Sequence, residues 1–256
     1  MDYRTVCAWD YQPMKQIAFL PLDDRPVNYD YPQILARSAG LEALLPPREW
    51  LGNPWRPSQH EKLVDWLRQV SDQVEGMIVA VDTLAYGGLI RMRISDEPYD
   101  SVHSRLSVLR EIKMDHPSQK IIASSVIQRV CRSNSSEEEK PYWAIYGTRL
   151  FRFSYLQHKS ALQEASPEEL HELAALKTEI PDEIIQDYTQ IRRRNHAVNR
   201  LMIDWVEEGL LDYLLLPQDD TADYGWNIAE ARLLQSDIRR RGLTGRAITY
   251  PGADEI

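Results

Sequence analysis

Five short apolar runs, separated by stretches with helical periodicity, do most to constrain the fold of this chain. The runs are 16–22 (QIAFLPL), 76–81 (GMIVAV), 120–127 (KIIASSVI), 211–216 (LDYLLL) and 246–250 (RAITY). Strands that alternate with helices pair in parallel through right-handed crossovers, and helices cover both faces of such a sheet. The sequence therefore predicts an α/β fold, either a (β/α) TIM-like barrel, the N-terminal part of one, or an open sheet.

Helix-start signals support this alternation. Residues 58–74 carry apolar side chains on one helical face, and Ser58 with Glu61 has the spacing of a capping box. Ser166 with Glu169 repeats that spacing further along the chain. Both pairs predict the beginning of a helix.

The interval at 137–209 is longer than the others and has only helical patterns. We interpret it as a helical insertion within one α/β domain at 15–256. Residues 1–14 are predicted to be an N-terminal extension, because Met14 opens directly into the first strand. With five strands, the domain is expected to be incomplete at its C-terminus.

The charge balance argues against two classes of partner. The formal net charge is −9, whereas nucleic acids and anionic membranes select basic surfaces. Two cysteines without paired spacing predict neither a disulfide framework nor a zinc site. The first residues lack a secretory signal, and no apolar run approaches the ~20 residues of a membrane span. We expect a cytoplasmic protein with no nucleic-acid or membrane partner.

The polar residues that follow the strands are the candidate site. In parallel α/β folds the carboxyl ends of all strands share one rim, where binding and catalytic residues collect. The residues predicted to meet there are Asp23, Asp24, Arg25, Asp82, Tyr86, Arg129, Asp219, Asp220, Tyr224, Asp254 and Glu255. A single aspartate in such a loop often only caps a helix or forms a turn. The recurrence of carboxylates after four of the five runs favours a site instead.

Asp219 and Asp220 are the predicted catalytic pair. Neighbouring carboxylates repel each other, and one helix cap needs only one of them. Two such groups can divide their roles if one stays ionised while the less solvated one holds a proton at neutral pH. Cleavage of glycosidic bonds is the reaction that most often uses a pair of this kind.

The remaining motifs favour structural interpretations. Residues 86–88 form a glycine loop without the lysine of a phosphate-binding loop. The arginine triplets at 192–194 and 239–241 are interpreted as solvated helix faces, and the six histidines lack metal-ligand spacing. Trp226 could stack on a sugar, but core packing is the simpler interpretation. No cofactor and no bound metal are predicted.

Four sequence blocks resemble a bacterial family known as domain-of-unknown-function family 4127. The blocks are LPLDDRPVN (20–28), VDTLAYGGL (81–89), LPQDDTADYG (216–225) and YPGADE (250–255). The resemblance covers 15–256 and implies the N-terminal portion of a longer protein, but it implies no activity or cofactor. The acid pair is also similar to that of retaining hexosaminidases. That similarity implies that Asp219 orients the acetamido group of the substrate and that Asp220 is the general acid.

Three functional hypotheses follow from these residues. The leading one is a glycoside-hydrolase-like enzyme that uses Asp219 and Asp220, with a carbohydrate or other small molecule as substrate. The second is a metal-dependent hydrolase, because carboxylates without histidine favour hard ions such as Mg²⁺. The third is a protein that binds a carbohydrate or another partner at the same rim without catalysis.

Overall fold

A six-stranded parallel sheet forms the centre of the molecule in the computed structural model, which describes residues 14–53 and 56–253. The predicted extension at 1–14, apart from Met14, lies outside the described residues. The strands are β1 (Lys15–Leu20), β2 (Leu41–Leu44), β3 (Gly76–Ala80), β4 (Lys120–Ser124), β5 (Tyr213–Gln218) and β6 (Ala247–Pro251). They lie in the order β2-β1-β3-β4-β5-β6, and every neighbouring pair is parallel.

The predicted α/β class is confirmed, and the strand order refines it. The described strands form an open sheet with β2 and β6 at its two edges, so they do not close into the barrel that was the leading expectation. The order runs outwards in both directions from β1 and β3, as in doubly wound sheets. In such sheets the carboxyl ends of the two strands where the order reverses flank a crevice that binds ligands.

Five of the six strands coincide with the predicted apolar runs, and β2 was missed. This strand has only four residues, all of them partly buried, and it pairs with β1 from Lys15↔Leu41 onwards. Its sequence, LEAL, gives no sign of a strand because it is too short to show alternation.

Helices connect the strands and cover the sheet. They are α1 (Pro26–Ser38), α2 (His60–Ser71), α3 (Val81–Tyr86), α4 (Leu89–Ile94), α5 (Tyr99–Leu106), α6 (Val108–Asp115), α7 (Trp143–Ala161), α8 (Pro167–Glu179), α9 (Asp182–Glu207) and α10 (Trp226–Arg240), with a 3-10 turn at Arg48–Trp50. Helices α7, α8 and α9 lie between β4 and β5, within the interval where the helical insertion is predicted. None of the helices in the described ranges combines the length and apolar character needed to cross a membrane.

The two predicted capping boxes have different outcomes. Ser166 accepts a hydrogen bond from the Glu169 N–H, and the Glu169 carboxylate accepts one from the Ser166 N–H, so this box is confirmed. The box at Ser58 is wrong. Helix α2 begins at His60, and the Ser58 hydroxyl donates to the Thr83 carbonyl at 3.0 Å instead. The Ser58 side chain therefore makes a tertiary contact with Thr83 instead of capping α2.

Two apolar clusters stabilise the fold. The larger one joins the sheet to the helices around it, including α2, α3, α6 and the C-terminal half of α9. The smaller one lies among α7, α8 and the N-terminal half of α9, where the Trp143 and Tyr188 rings are 4.8 Å apart. Helix α9 contributes to both clusters and therefore ties the insertion to the sheet.

Candidate functional site

A polar pocket lies at the carboxyl ends of β1 and β3, where the strand order reverses. Its volume is about 640 Å³, counting the space open to solvent at its mouth. Five segments line it, each following a strand or a turn. The lining residues are Asp23, Arg25, Gly52, Asn53, Gly87, Gly88, Leu89, Ile90, Arg91, Arg93, Arg129, Glu138 and Asp219. This position is the one at which open parallel sheets bind their ligands.

The segment after β1 holds its first carboxylate rigidly. Asp23 accepts hydrogen bonds from the backbone N–H of Arg25 at 3.0 Å and from the Arg25 side chain at 2.8 Å. The Asn28 amide donates a third bond at 2.8 Å. Pro26 then opens α1 at a position where its missing N–H costs nothing. Asp23 and Arg25 are thereby fixed in the pocket wall, whereas Asp24 contacts Asn53 and does not line the pocket.

Two glycines bring α4 to the rim. Gly87 and Gly88 have φ angles of +95° and +120°, which residues with a Cβ rarely adopt. Behind them, a Cβ on Gly52 would lie 1.8 Å from the Gly87 carbonyl oxygen. The Ser58 N–H donates to that same oxygen at 3.2 Å. The glycine loop is therefore a closely packed turn that positions the arginines of α4.

Arg93 is the buried centre of the pocket's charges. Its side chain is 1% exposed and forms ion pairs with Glu138 at 2.9 Å and with Asp219 at 2.8 Å. Glu138 also pairs with Arg129 at 2.8 Å. Burial acts to raise the pKa of Glu138, but the two arginines outweigh it and lower that pKa below its ordinary value. The pocket floor therefore carries alternating, mutually satisfied charges.

Arg91 differs from the other arginines in the pocket. Arg25, Arg93 and Arg129 each pair with a carboxylate. No carboxylate in the described part of the chain lies within ion-pair distance of Arg91, and its buried Nε has no hydrogen-bond partner. The lining therefore holds four arginines against three carboxylates, with one positive charge in excess.

The two predicted catalytic aspartates have different ion-pair partners, although both also line a second, open groove together with Arg129 and Arg132. Asp219 lines the pocket, with its side chain 7% exposed and bound to Arg93. Asp220 accepts from the Thr221 N–H at 2.7 Å, and its other oxygen lies 3.7 Å from Arg132, outside this pocket. Their neighbours differ because side chains of adjacent residues in extended backbone point in opposite directions.

Asp82 and Tyr86 lie beneath the pocket instead of on its surface. Asp82 is 0% exposed. One of its oxygens accepts from the Val126 N–H at 2.9 Å, and the other has no partner. Burial, together with the negative charge of Asp219, raises the pKa of Asp82 to about 7. Burial also raises the pKa of Tyr86, whose ring lies under the Arg194 guanidinium at 4.7 Å.

The other predicted site residues do not reach this pocket. Tyr224 is partly buried, and its hydroxyl donates to Glu164, just after the C-terminus of α7. Asp254 and Glu255 lie outside the described residues. Trp226 packs edge-on against Phe153 with ring centres 5.9 Å apart, so it is a packing residue in the described structure.

The interpretation of 192–194 as a solvated face is wrong for two of its three arginines. Arg192 and Arg194 are buried, and only Arg193 is exposed. Arg192 donates to the carbonyl of Gln128 at 2.9 Å and Arg194 to that of Met92 at 3.0 Å. Helix α9 thus holds the backbone segments that carry Arg93 and Arg129. In the triplet at 239–241, Arg239 and Arg240 are exposed at the end of α10 as expected, whereas the Arg241 side chain is 13% exposed and pairs with Asp204 and Asp237.

Sequence reasoning missed three pocket residues. Arg91, Arg93 and Glu138 occur inside segments that were treated as a loop and a helical insertion. The available signal was the recurrence of arginine at 91 and 93, within five residues of two consecutive glycines.

The fold and pocket define an α/β protein with a doubly wound parallel sheet and a charged crevice at its switch point. The chain belongs to the family described as "Protein of unknown function (DUF4127)", which matches residues 17–256. No curated protein matches the chain. One solved structure is similar, an "Alpha/Beta hydrolase fold protein of unknown function", at 12% identity over 93% of this chain and 78% of that chain. Its TM-score of 0.35 is too low to support an inference about activity.

Proposed function

We propose that this protein is an enzyme that acts on a small molecule carrying a carboxylate or phosphate group, which it binds in the switch-point pocket. In this proposal Arg91 binds the anionic group, and Asp219 accepts a proton from the reacting part of the substrate. Asp23, Arg25 and Arg129 complete the binding surface.

The observation that carries the proposal is the lack of a carboxylate partner for Arg91. A guanidinium group offers several N–H donors in one plane, a geometry that matches carboxylates and phosphates. In a pocket where the other arginines are already paired, an unpaired arginine is the group that gains most from an anion. The position at the switch point supports the same conclusion, because open α/β sheets bind small molecules there.

Asp219 is suited to proton transfer by its position. It lies in the pocket wall, and the Arg93 contact at 2.8 Å fixes its orientation. Arg93 in turn is held by Glu138. A general base must be placed before its pKa matters, and this pair of contacts supplies the placement.

Binding of defined probes tests the proposal. Sulfate, citrate and a sugar phosphate are expected to raise the melting temperature of the full chain, whereas neutral N-acetylglucosamine is not. Arg91→Gln is expected to weaken binding of the anionic probes about tenfold, because it removes a charge-assisted hydrogen bond. Arg239→Gln, at the exposed end of α10, is the matched control and is expected to bind as the wild type does.

Two outcomes would overturn the proposal. One is stabilisation by the neutral sugar without any effect of the anions. The other is unchanged anion binding in Arg91→Gln.

The glycoside-hydrolase hypothesis makes a different demand on the same residues. It needs Asp219 and Asp220 to act on one substrate. The two pair with different arginines, Arg93 and Arg132, and both line an open groove that shares Asp219 and Arg129 with the pocket. Assays of aryl glycosides with Asp219→Asn and Asp220→Asn separate the two hypotheses. Turnover that depends on Asp220 supports glycoside cleavage, and turnover of anionic substrates that depends only on Asp219 supports our proposal.

The other two hypotheses remain distinguishable by experiment. Within 14–53 and 56–253, no group of three or more histidine, cysteine or acidic side chains could hold a metal ion, so no observation favours the metal-dependent hydrolase. Activity that is lost with a chelator and restored by one metal would favour it. Thermal stabilisation by a ligand without formation of product would favour a binding protein.

A further inference from the structure

A group of buried polar atoms without partners lies directly beneath the pocket. It comprises Asp82 Oδ1, the Tyr86 hydroxyl, Ser124 Oγ and Gln128 Nε2. Buried polar atoms normally find a hydrogen-bond partner, so a concentration of exceptions at one place calls for an explanation. Asp82 and Tyr86 belong to α3, which begins directly after β3, and Ser124 and Gln128 lie at the end of β4 and just after it. The two strands pair in register at Ala80↔Ser124.

Asp82 is connected to Asp219 through one short stretch of backbone. The Val126 N–H donates to Asp82 Oδ2 at 2.9 Å. The next residue, Ile127, accepts a hydrogen bond from the Asp219 N–H at 3.2 Å. The Asp82 carboxyl group and the Asp219 backbone therefore contact the same buried dipeptide just after β4.

Only one of these two carboxyl groups has a cation. Asp219 is paired with Arg93 at 2.8 Å. Asp82 has a single backbone donor and no ion pair, although it is 0% exposed. Two nearby carboxylates in such surroundings cannot both be ionised without a large cost, and the one that lacks a cation takes the proton.

We propose that Asp82 is a positioning residue that holds a proton beneath the pocket and thereby makes anion binding dependent on pH. At pH 6 its neutral carboxyl group adds no charge to the cluster in which Arg93 pairs with Asp219 and Glu138. When Asp82 loses its proton, a further negative charge arises under the pocket and opposes the incoming anion. In this proposal the protonated carboxyl group is that of Asp82 and not that of Asp220, the residue that the sequence analysis predicted as the acid.

The groups around Asp82 fit this role. Tyr86, one helical turn further along α3, stays neutral because burial raises its pKa. Arg194 of α9 lies over the Tyr86 ring, and Arg93 of α4 pairs with Asp219. Both arginines keep their charge throughout the pH range of interest. His60, near Arg91, is neutral above pH 6, because burial and the nearby Arg105 lower its pKa to about 4. Burial also raises the pKa of Glu139, but that carboxylate pairs with Arg129 at 3.4 Å, whereas Asp82 has no ion pair.

Sulfate is the probe for the ligand experiment because it does not titrate near neutral pH. Its binding to the full chain is measured by calorimetry from pH 6 to pH 8.5. In the wild type the dissociation constant is expected to rise about threefold or more over this range, as a charge appears in surroundings of low dielectric. Asp82→Asn retains the shape of the neutral acid and is expected to show a flat profile. Asp115→Asn, an exposed residue at the end of α6, is the matched control and should follow the wild type.

A second measurement does not depend on any ligand. In protein labelled with ¹³C at aspartate carboxyl carbons, one resonance is expected to titrate with a midpoint near pH 7 and to be absent from Asp82→Asn.

The sulfate experiment rests on the proposed anion site, whereas the resonance experiment does not. If sulfate binds but Asp82→Asn keeps the pH dependence of the wild type, the inference fails and the proposed function stands. If sulfate does not bind, the proposed function fails, and the resonance still decides the state of Asp82. A carboxyl group that titrates near pH 4 would overturn the inference by itself.

Discussion

The carboxyl groups at the two ends of the sheet differ in their hydrogen-bond donors and in the direction of their pKa shifts. At the amino end, Asp212 accepts hydrogen bonds from the Ile121 N–H at 3.0 Å and from Lys113 and Lys120 at 3.2 and 2.7 Å. Burial acts to raise its pKa, but these donors outweigh burial and lower it. At the carboxyl end, Asp82 has one backbone donor, and burial raises its pKa.

This difference distinguishes an end of the sheet that stabilises the fold from the end at which we propose a ligand site. A carboxylate whose acceptor sites are satisfied contributes to stability, whereas a buried one with a free oxygen costs stability. Most of the unpartnered polar atoms near the sheet lie around the pocket, whereas Asp212 is fully engaged. Sites that bind ligands commonly hold groups in such unfavourable states.

The largest loss of stability is expected from Arg93→Met, which removes the buried arginine that pairs with Asp219 and Glu138. Asp219, whose side chain is 7% exposed, would lose its direct ion-pair partner. Breaking a buried pair in this way costs about 3–5 kcal/mol in the free energy of unfolding. Urea unfolding at pH 7 measures it. The double variant with Asp219→Leu is expected to recover much of the loss, because it removes the unpaired charge as well. A loss below about 1 kcal/mol would mean that the pocket end does not depend on this arginine.

The next effect concerns the pH dependence of stability in Asp82→Asn. The pKa of Asp82 is raised to about 7 in the folded state, above the ordinary value of about 4 in the unfolded chain. Between these values the folded state binds the extra proton, so wild-type stability falls as the pH rises from about 4 to about 7. Relative to the wild type, the variant is therefore expected to gain on the order of 2 kcal/mol between pH 5 and pH 8. Chemical denaturation of both proteins at the two pH values measures this; an equal pH dependence would contradict it.

Asp212→Asn is expected to show the opposite trend, with a smaller effect. The variant should be less stable by about 1–2 kcal/mol at pH 7, because charge-assisted hydrogen bonds are weakened. The pKa of Asp212 is lowered in the folded state, so its contribution is present above about pH 4 and is lost as the pH falls through the folded-state value. Thermal unfolding from pH 3 to pH 7, with exposed Asp115→Asn as control, tests it. A destabilisation that does not shrink in acid would show that the loss is one of packing rather than of charge.

Sequence predicted the layers of the fold better than its topology. The continuous apolar runs at 76–81 and 211–216 identify β3 and β5, because a strand covered on both faces has no polar alternation. Strand β2 escaped detection with four residues, and it is the strand that makes the order reverse. Without β2, an open doubly wound sheet cannot be told from part of a barrel.

The candidate site was predictable where residues follow strands directly and unpredictable elsewhere. Asp23, Arg25, Arg129 and Asp219 meet at one pocket because parallel strands share a rim. Arg91 and Arg93 are in α4, and their direction depends on the close contact between Gly52 and Gly87. Local periodicity carries no information about such a contact. Their roles, like those of the predicted acids, remain to be measured.

The contact between Gly52 and Gly87 also bears on how this pocket can diversify among related proteins. Any larger residue at 52 would push the two loops apart and displace both arginines of α4 at once. The side of the pocket formed by Gly52 and α4 therefore cannot change by single substitutions at position 52 without moving both arginines. Under the proposed function, a different substrate preference has to arise from the opposite wall, which carries Arg129 and Glu138.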